Sequence, residues 1–93
     1  KHGAVSSNVA ELMSKNIKTI MKSDIGIGVT GISGPLGATH KKPIGLVYIS
    51  ISYKDYVQTK KFNLFPDRKI HRKQSSQAAL NMLRILIQER DNL

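Results

Sequence analysis

The chain has no cysteine among its 93 residues, which excludes disulfides and thiolate metal sites and fits the cytoplasm. Tryptophan is absent too, and three tyrosines and two phenylalanines make up the whole aromatic complement. A surface that binds single-stranded nucleic acid by base stacking needs more than that. Acid is scarce: six Asp and Glu stand against fifteen Lys and Arg, a net charge of +9. The balance favours anionic partners, whether phosphates, nucleotides or nucleic acid, and says nothing of fold. No apolar run approaches the length of a membrane span, so no membrane role is expected. The chain opens at Lys1 without an apolar leader region, and no signal peptide is visible. The histidines His2, His40 and His71 sit at unrelated spacings, without the pairing a metal site requires, so no metal is expected.

What is present reads as one small α/β domain over 1–93, with elements in the order α-β-β-β-α. Val9, Leu12, Met13, Ile17, Ile20 and Met21 recur at helical spacing from about Ser6 to Lys22, and this stripe is expected to pack into the core. Ser6 or Ser7 suits the N-cap, where its hydroxyl accepts an otherwise unpaired N–H. Asp24 to Val29 alternates Ile, Ile and Val with Gly26 and Gly28, a strand with one smooth face that another backbone can approach closely. Leu46 to Tyr53 carries the strongest strand pattern, with Val47, Ile49, Ile51 and Tyr53 on one face. Lys54-Asp55 turns the chain into a weaker strand, Tyr56 to Leu64, whose lysines suit an edge. A last helix runs from near Asp67 to about Glu89. On it Arg72, Ser76, Ala79, Leu83 and Leu86 share a face in steps of four, three, four and three. Layered helices on a mixed sheet are the expected architecture.

Between the first two strands lies Val29-Thr30-Gly31-Ile32-Ser33-Gly34-Pro35-Leu36-Gly37, continuing to Lys42-Pro43-Ile44-Gly45. Gly31, Gly34 and Gly37 fall at every third position, a spacing that lets backbone N–H groups come close to a ligand. At least one of Gly31 and Gly34 is expected at positive φ. No Gly-Lys-Ser/Thr follows, so this is not a Walker loop. Prolines follow where a dinucleotide fingerprint would open a helix. The first turns of the last helix hold Arg68, Lys69, His71, Arg72 and Lys73 beside the single acid Asp67. Cations there oppose the helix macrodipole at a cost of about 0.3–1 kcal/mol each, an arrangement that makes sense if an anion sits nearby.

The Thr30-Gly31-x-x-Gly34-Pro35 loop does not stand alone. Gly3-Ala4-Val5-Ser6 leads into the first helix, and Asp67-Arg68, Arg72, Ser75-Ser76 and Ala79-Leu80 mark the last one. In this order the motifs resemble the C-terminal portion of the CinA C-terminal domain family, whose characterised members are nicotinamide-nucleotide amidases. The resemblance implies hydrolysis of nicotinamide mononucleotide to nicotinate mononucleotide and ammonia, in the cytoplasm of a bacterium, with no metal or organic cofactor. The family's Glu-Ser-x-Thr-Gly-Gly segment, which carries the nucleophile, would lie upstream of Lys1, as would its Tyr/Lys pair. These residues are therefore expected to be inactive alone, with the missing segment and a second copy of the chain as partners.

On this resemblance Thr30 and Arg72 are the candidate catalytic residues. The Thr30 hydroxyl and the Gly31 N–H would orient the carboxamide, and Arg72 would hold a polar or anionic group. Gly34 and Gly37 would wall the pocket, with Arg68 as a further binding residue. Thr30 and Arg72 should then meet at one concavity. Pro66, where the family has glycine, and Leu36, Ala38 and Lys41 in the loop depart from its pattern. Two other functions stay open: a non-catalytic relative, and a basic module that binds polyanions through Lys60, Lys61, Arg68, Lys69, Arg72 and Lys73.

Overall fold

The computed structural model describes residues 5–32, 45–64 and 68–90. Its elements are α1 (Ser7–Met21), β1 (Ile25–Gly31), β2 (Leu46–Tyr53), β3 (Tyr56–Asn63) and α2 (Arg68–Arg90). The strands form one sheet in the order β1-β2-β3, with a helix on each face. Among the described residues no helix is long and apolar enough to cross a membrane.

The expected mixed sheet is corrected: both strand pairs are antiparallel. Parallel neighbours need a crossover that returns the chain to the sheet's opposite end. Here Tyr53 faces Tyr56 across the two-residue turn Lys54-Asp55. Gly45 donates its N–H to the Ile32 carbonyl at 2.7 Å, so the longer connection leaves and re-enters at one end. Gly45 lies at φ +97, and a Cβ there would strike the Leu64 carbonyl oxygen. Positive φ is thus needed where the chain enters β2. Gly31 lies within β1 and is not among the positive-φ residues; Gly34 falls outside the described residues.

Strand alternation sorts the side chains. Ile25 and Ile27 lie on the face that β2 fills with Val47, Ile49, Ile51 and Tyr53, and these pack against Ala79, Met82 and Leu86 of α2. Gly26 pairs with Ser52 and Gly28 with Ser50 on the other face, beneath α1. The two glycines were expected to give a smooth face, and α1 sits directly on it. A Cβ at Gly28 would lie 2.8 Å from both the Met13 Cβ and the Ser14 backbone nitrogen.

This close seat overturns the expected burial of the α1 stripe. The helix turns its small residues Ala10 and Ser14 to the sheet, both fully buried, because only they fit against glycine. Ser14 Oγ bonds Ser50 Oγ at 3.1 Å and Ser52 Oγ at 2.8 Å, and Thr59 donates to Ser50 Oγ at 2.8 Å. Leu12, Met13, Ile17, Ile20 and Met21 are rotated off the sheet and stand 41–72% exposed. Ser6 caps the helix as expected, its hydroxyl accepting from the Val9 N–H. Lys22 ends it in the left-handed region at φ 52.

Gly28→Ala is expected to destabilise the chain by about 2–3 kcal/mol, because α1 must lift from the sheet to admit the methyl group. Urea unfolding followed by circular dichroism measures this. An unchanged midpoint would mean that the close seat of α1 does not hold in solution.

Candidate functional site

The last helix decides the site. Its buried line runs His71, Ser75, Ala79, Met82 and Leu86, so the expected face through Arg72 and Ser76 is corrected: both are exposed. Counting back from Ala79, steps of four reach Ser75 and His71, whereas a step of three reaches Ser76 and then Arg72. Both counts suit a 3.6-residue period. A helix crossing a twisted sheet touches it along a line that drifts around the helix, and the apolar C-terminal half fixes which count is used.

At the N-terminal end of this line a cavity of about 430 Å³ opens between α2 and the end of β1, lined by Val29, Gly31, Val47, His71, Arg72, Ser75, Ser76 and Ala79. The end of the strand that delivers the glycine loop therefore lies beside the first turns of the helix. A Cβ on Gly31 would crowd Val47, 2.9 Å from its Cγ2, on the same face of the sheet as α2. Gly31 keeps this corner open.

Gly31 and Arg72 are thus brought together. Thr30 is not part of the lining: it pairs with Tyr48, and alternation places it with Gly28 on the α1 side. The expected meeting of Thr30 and Arg72 is not seen at this cavity. Arg68 begins α2, with its side chain outside the described part, as are Gly34 and Gly37. Among the described residues no cluster of three or more His, Cys, Asp or Glu could hold a metal ion. Lys60 and Lys61 occupy successive positions of β3 and so point to opposite faces of the sheet, which divides the basic side chains between two surfaces.

Two residues of the site were missed in the sequence. His71 and Ser75 are 5% and 8% exposed, and among the described residues neither His71 Nε2 nor Ser75 Oγ has a hydrogen-bond partner. His71 had counted only as one more cation in a basic turn. The available signal was the polar interruption of a core line, found by stepping back from Ala79 in fours. Leaving a buried polar group unpaired costs about 1–3 kcal/mol, so each orphan marks a place where stability is given up.

Ser75→Ala is therefore expected to stabilise the ligand-free chain, by about 1 kcal/mol more than Ser76→Ala. Both substitutions gain helix propensity, but only Ser75→Ala removes an unpaired hydroxyl from the interior. Equal urea midpoints for the two variants would mean that the Ser75 hydroxyl is already satisfied.

The family description "CinA C-terminal domain" matches residues 1–87. CinA-like proteins of Fusobacterium nucleatum and Koribacter versatilis are 48% and 47% identical over 87 and 88 residues, covering 92% and 90% of this chain. Those matches take in 21% and 20% of the two relatives, so the chain spans about a fifth of their length. Among solved structures, the competence/damage inducible protein CihA of Agrobacterium tumefaciens superposes with a TM-score of 0.87 at 30% identity. The match covers 92% of this chain and 53% of that one.

Proposed function

Because the chain belongs to the CinA C-terminal domain family, we propose that it forms the substrate-binding half of a nicotinamide mononucleotide amidohydrolase. The observation that carries this reading is the cavity between the end of β1 and the first turns of α2, with Arg72 in its wall. An apolar floor beside a cation suits a ligand that joins a flat ring to polar groups, and about 300–1,000 Å³ is the usual range for such sites.

In the proposed reaction a serine from the rest of the domain attacks the carboxamide carbon. The carbonyl π electrons move to oxygen, and donors hold the resulting oxyanion. The intermediate collapses as the amine leaves with a proton, as ammonia. Water then cleaves the acyl-enzyme to give nicotinate mononucleotide and free serine. No metal or organic cofactor enters these steps. This chain's share is to bind and orient. Arg72 holds a polar or anionic group of the substrate, and Gly31 keeps the wall open. Within the family domain the remaining segment is the partner this half requires, and the exposed apolar stripe of α1 is the surface we assign to association, with that segment or with a second copy.

A basic module for polyanions is the second reading, favoured by the +9 charge. Its weakness is the division of Lys60 and Lys61 between opposite faces. Such binding would fall steeply with added salt.

The 93-residue chain alone is expected to release no ammonia from nicotinamide mononucleotide. With the rest of the domain restored, Arg72→Ala should lower kcat/KM by about tenfold to several-hundredfold, the range for one lost donor or charge. A coupled ammonia assay measures both. Turnover by the isolated chain, or full activity in the Arg72→Ala variant, would overturn the reading.

A further inference from the structure

We infer that the cavity at the N-terminal end of α2 is an oxoanion subsite, with the His71 imidazole and the Ser75 hydroxyl as its inner wall and Arg72 at its mouth. The inference rests on geometry and charge and stands apart from the amidase reading.

His71 and Ser75 are one helical step of four apart, about 6 Å along the axis, and both line the same cavity. Each is more than nine-tenths buried, and each has a polar atom without a partner. The side chains of Val29 and Val47 on the facing strands present only carbon, and among the described residues neither polar atom finds a partner. A molecule that fills the cavity would supply partners for Nε2 and Oγ. Charge then selects the occupant. Arg72 is exposed at the cavity and the first turn of α2 contains no acid, so a cation is repelled. A neutral polar molecule would satisfy the two orphans and leave the guanidinium unmatched. A tetrahedral oxoanion has acceptor oxygens for all three: the Nε2–H of His71, the hydroxyl of Ser75 and the planar fork of Arg72. Amide groups at the start of α2 add a favourable dipole. The phosphate of a mononucleotide and free inorganic phosphate share this chemistry.

The test is a titration of the 93-residue chain with inorganic phosphate at constant ionic strength, following the histidine Cε1–H resonances by NMR. The His71 resonance should move saturably. Ser75→Ala, expected to fold at least as stably as the parent, should weaken phosphate binding about tenfold or more, the loss of one hydrogen bond to a charged group. Arg72→Ala should weaken it at least as much, and Lys73→Ala, a neighbouring exposed cation, much less. Nicotinamide mononucleotide and its riboside separate the two sources. If the mononucleotide moves His71 and the riboside does not, the subsite takes the nucleotide's phosphate. If phosphate moves it and neither nucleoside compound does, the subsite takes a free oxoanion. A His71 resonance that ignores phosphate, or an affinity unchanged by Ser75→Ala, overturns the inference whatever the ammonia assay reports. Phosphate binding without any ammonia release in the restored domain would leave it standing and remove the amidase.

Discussion

The fold depends on how closely α1 approaches the sheet. Gly26 and Gly28 remove the side chains that would hold the helix off, and its small residues Ala10 and Ser14 settle into the space. Opposite Gly26 and Gly28 only small side chains fit between helix and strands. The contact is sealed instead by hydroxyls: Ser14 bonds Ser50 and Ser52, and Thr59 bonds Ser50. Buried hydroxyls are costly unless paired, and these are paired with one another. Register matters more here than in an ordinary apolar layer. A slip of one residue along β1 would bring Ile27 under the helix and strand the serines against isoleucine.

The consequence is a division of labour between the two faces. With α1 seated on small residues, the bulk of the apolar mass falls on the side of α2, where Val47, Ile49 and Ile51 of β2 are fully buried. That core is strong beneath the C-terminal half of α2, through Met82 and Leu86, and thins toward its start, where Val29 is already 38% exposed. The cavity opens where the apolar layer runs out. Its position at the end of β1 and the beginning of α2 therefore follows from packing, before any ligand is considered.

Much of this was legible in the sequence. Periodicity located all five elements to within a few residues, because runs such as Val47, Ile49 and Ile51 and the edge lysines of β3 have little alternative. The Gly-x-Gly strand announced a close contact on one face. Two rotations were not legible. The stripe on α1 has the spacing of a core face, and nothing local states that Ser14 is preferred inward; that preference comes from serines more than thirty positions away, on β2. On α2, the helical period admits both Arg72 and His71 at the end of the stripe, and the choice is made by the crossing of helix and sheet. The antiparallel sense of β1 and β2 was equally out of reach, since only the return of the chain to the Ile32–Gly45 pair fixes it.

Three features break local rules: cations crowd the start of a helix, polar atoms lie unpaired on a core line, and an apolar helical stripe faces outward. Natural sequences tend to violate such rules where function or an interface demands it. Location separates the three. Arg72 and the two orphans meet in one cavity on the α2 face, and an anion there would neutralise the first and pair the second. The stripe lies on α1, on the opposite face of the sheet from that cavity. Its large carbon surface calls for burial by another apolar surface and has no bearing on the ligand. The solved CihA structure is about twice as long as the part this chain matches, so its fold has more chain available for such cover. The sheet thus keeps the exposed apolar stripe and the polar cavity on opposite faces.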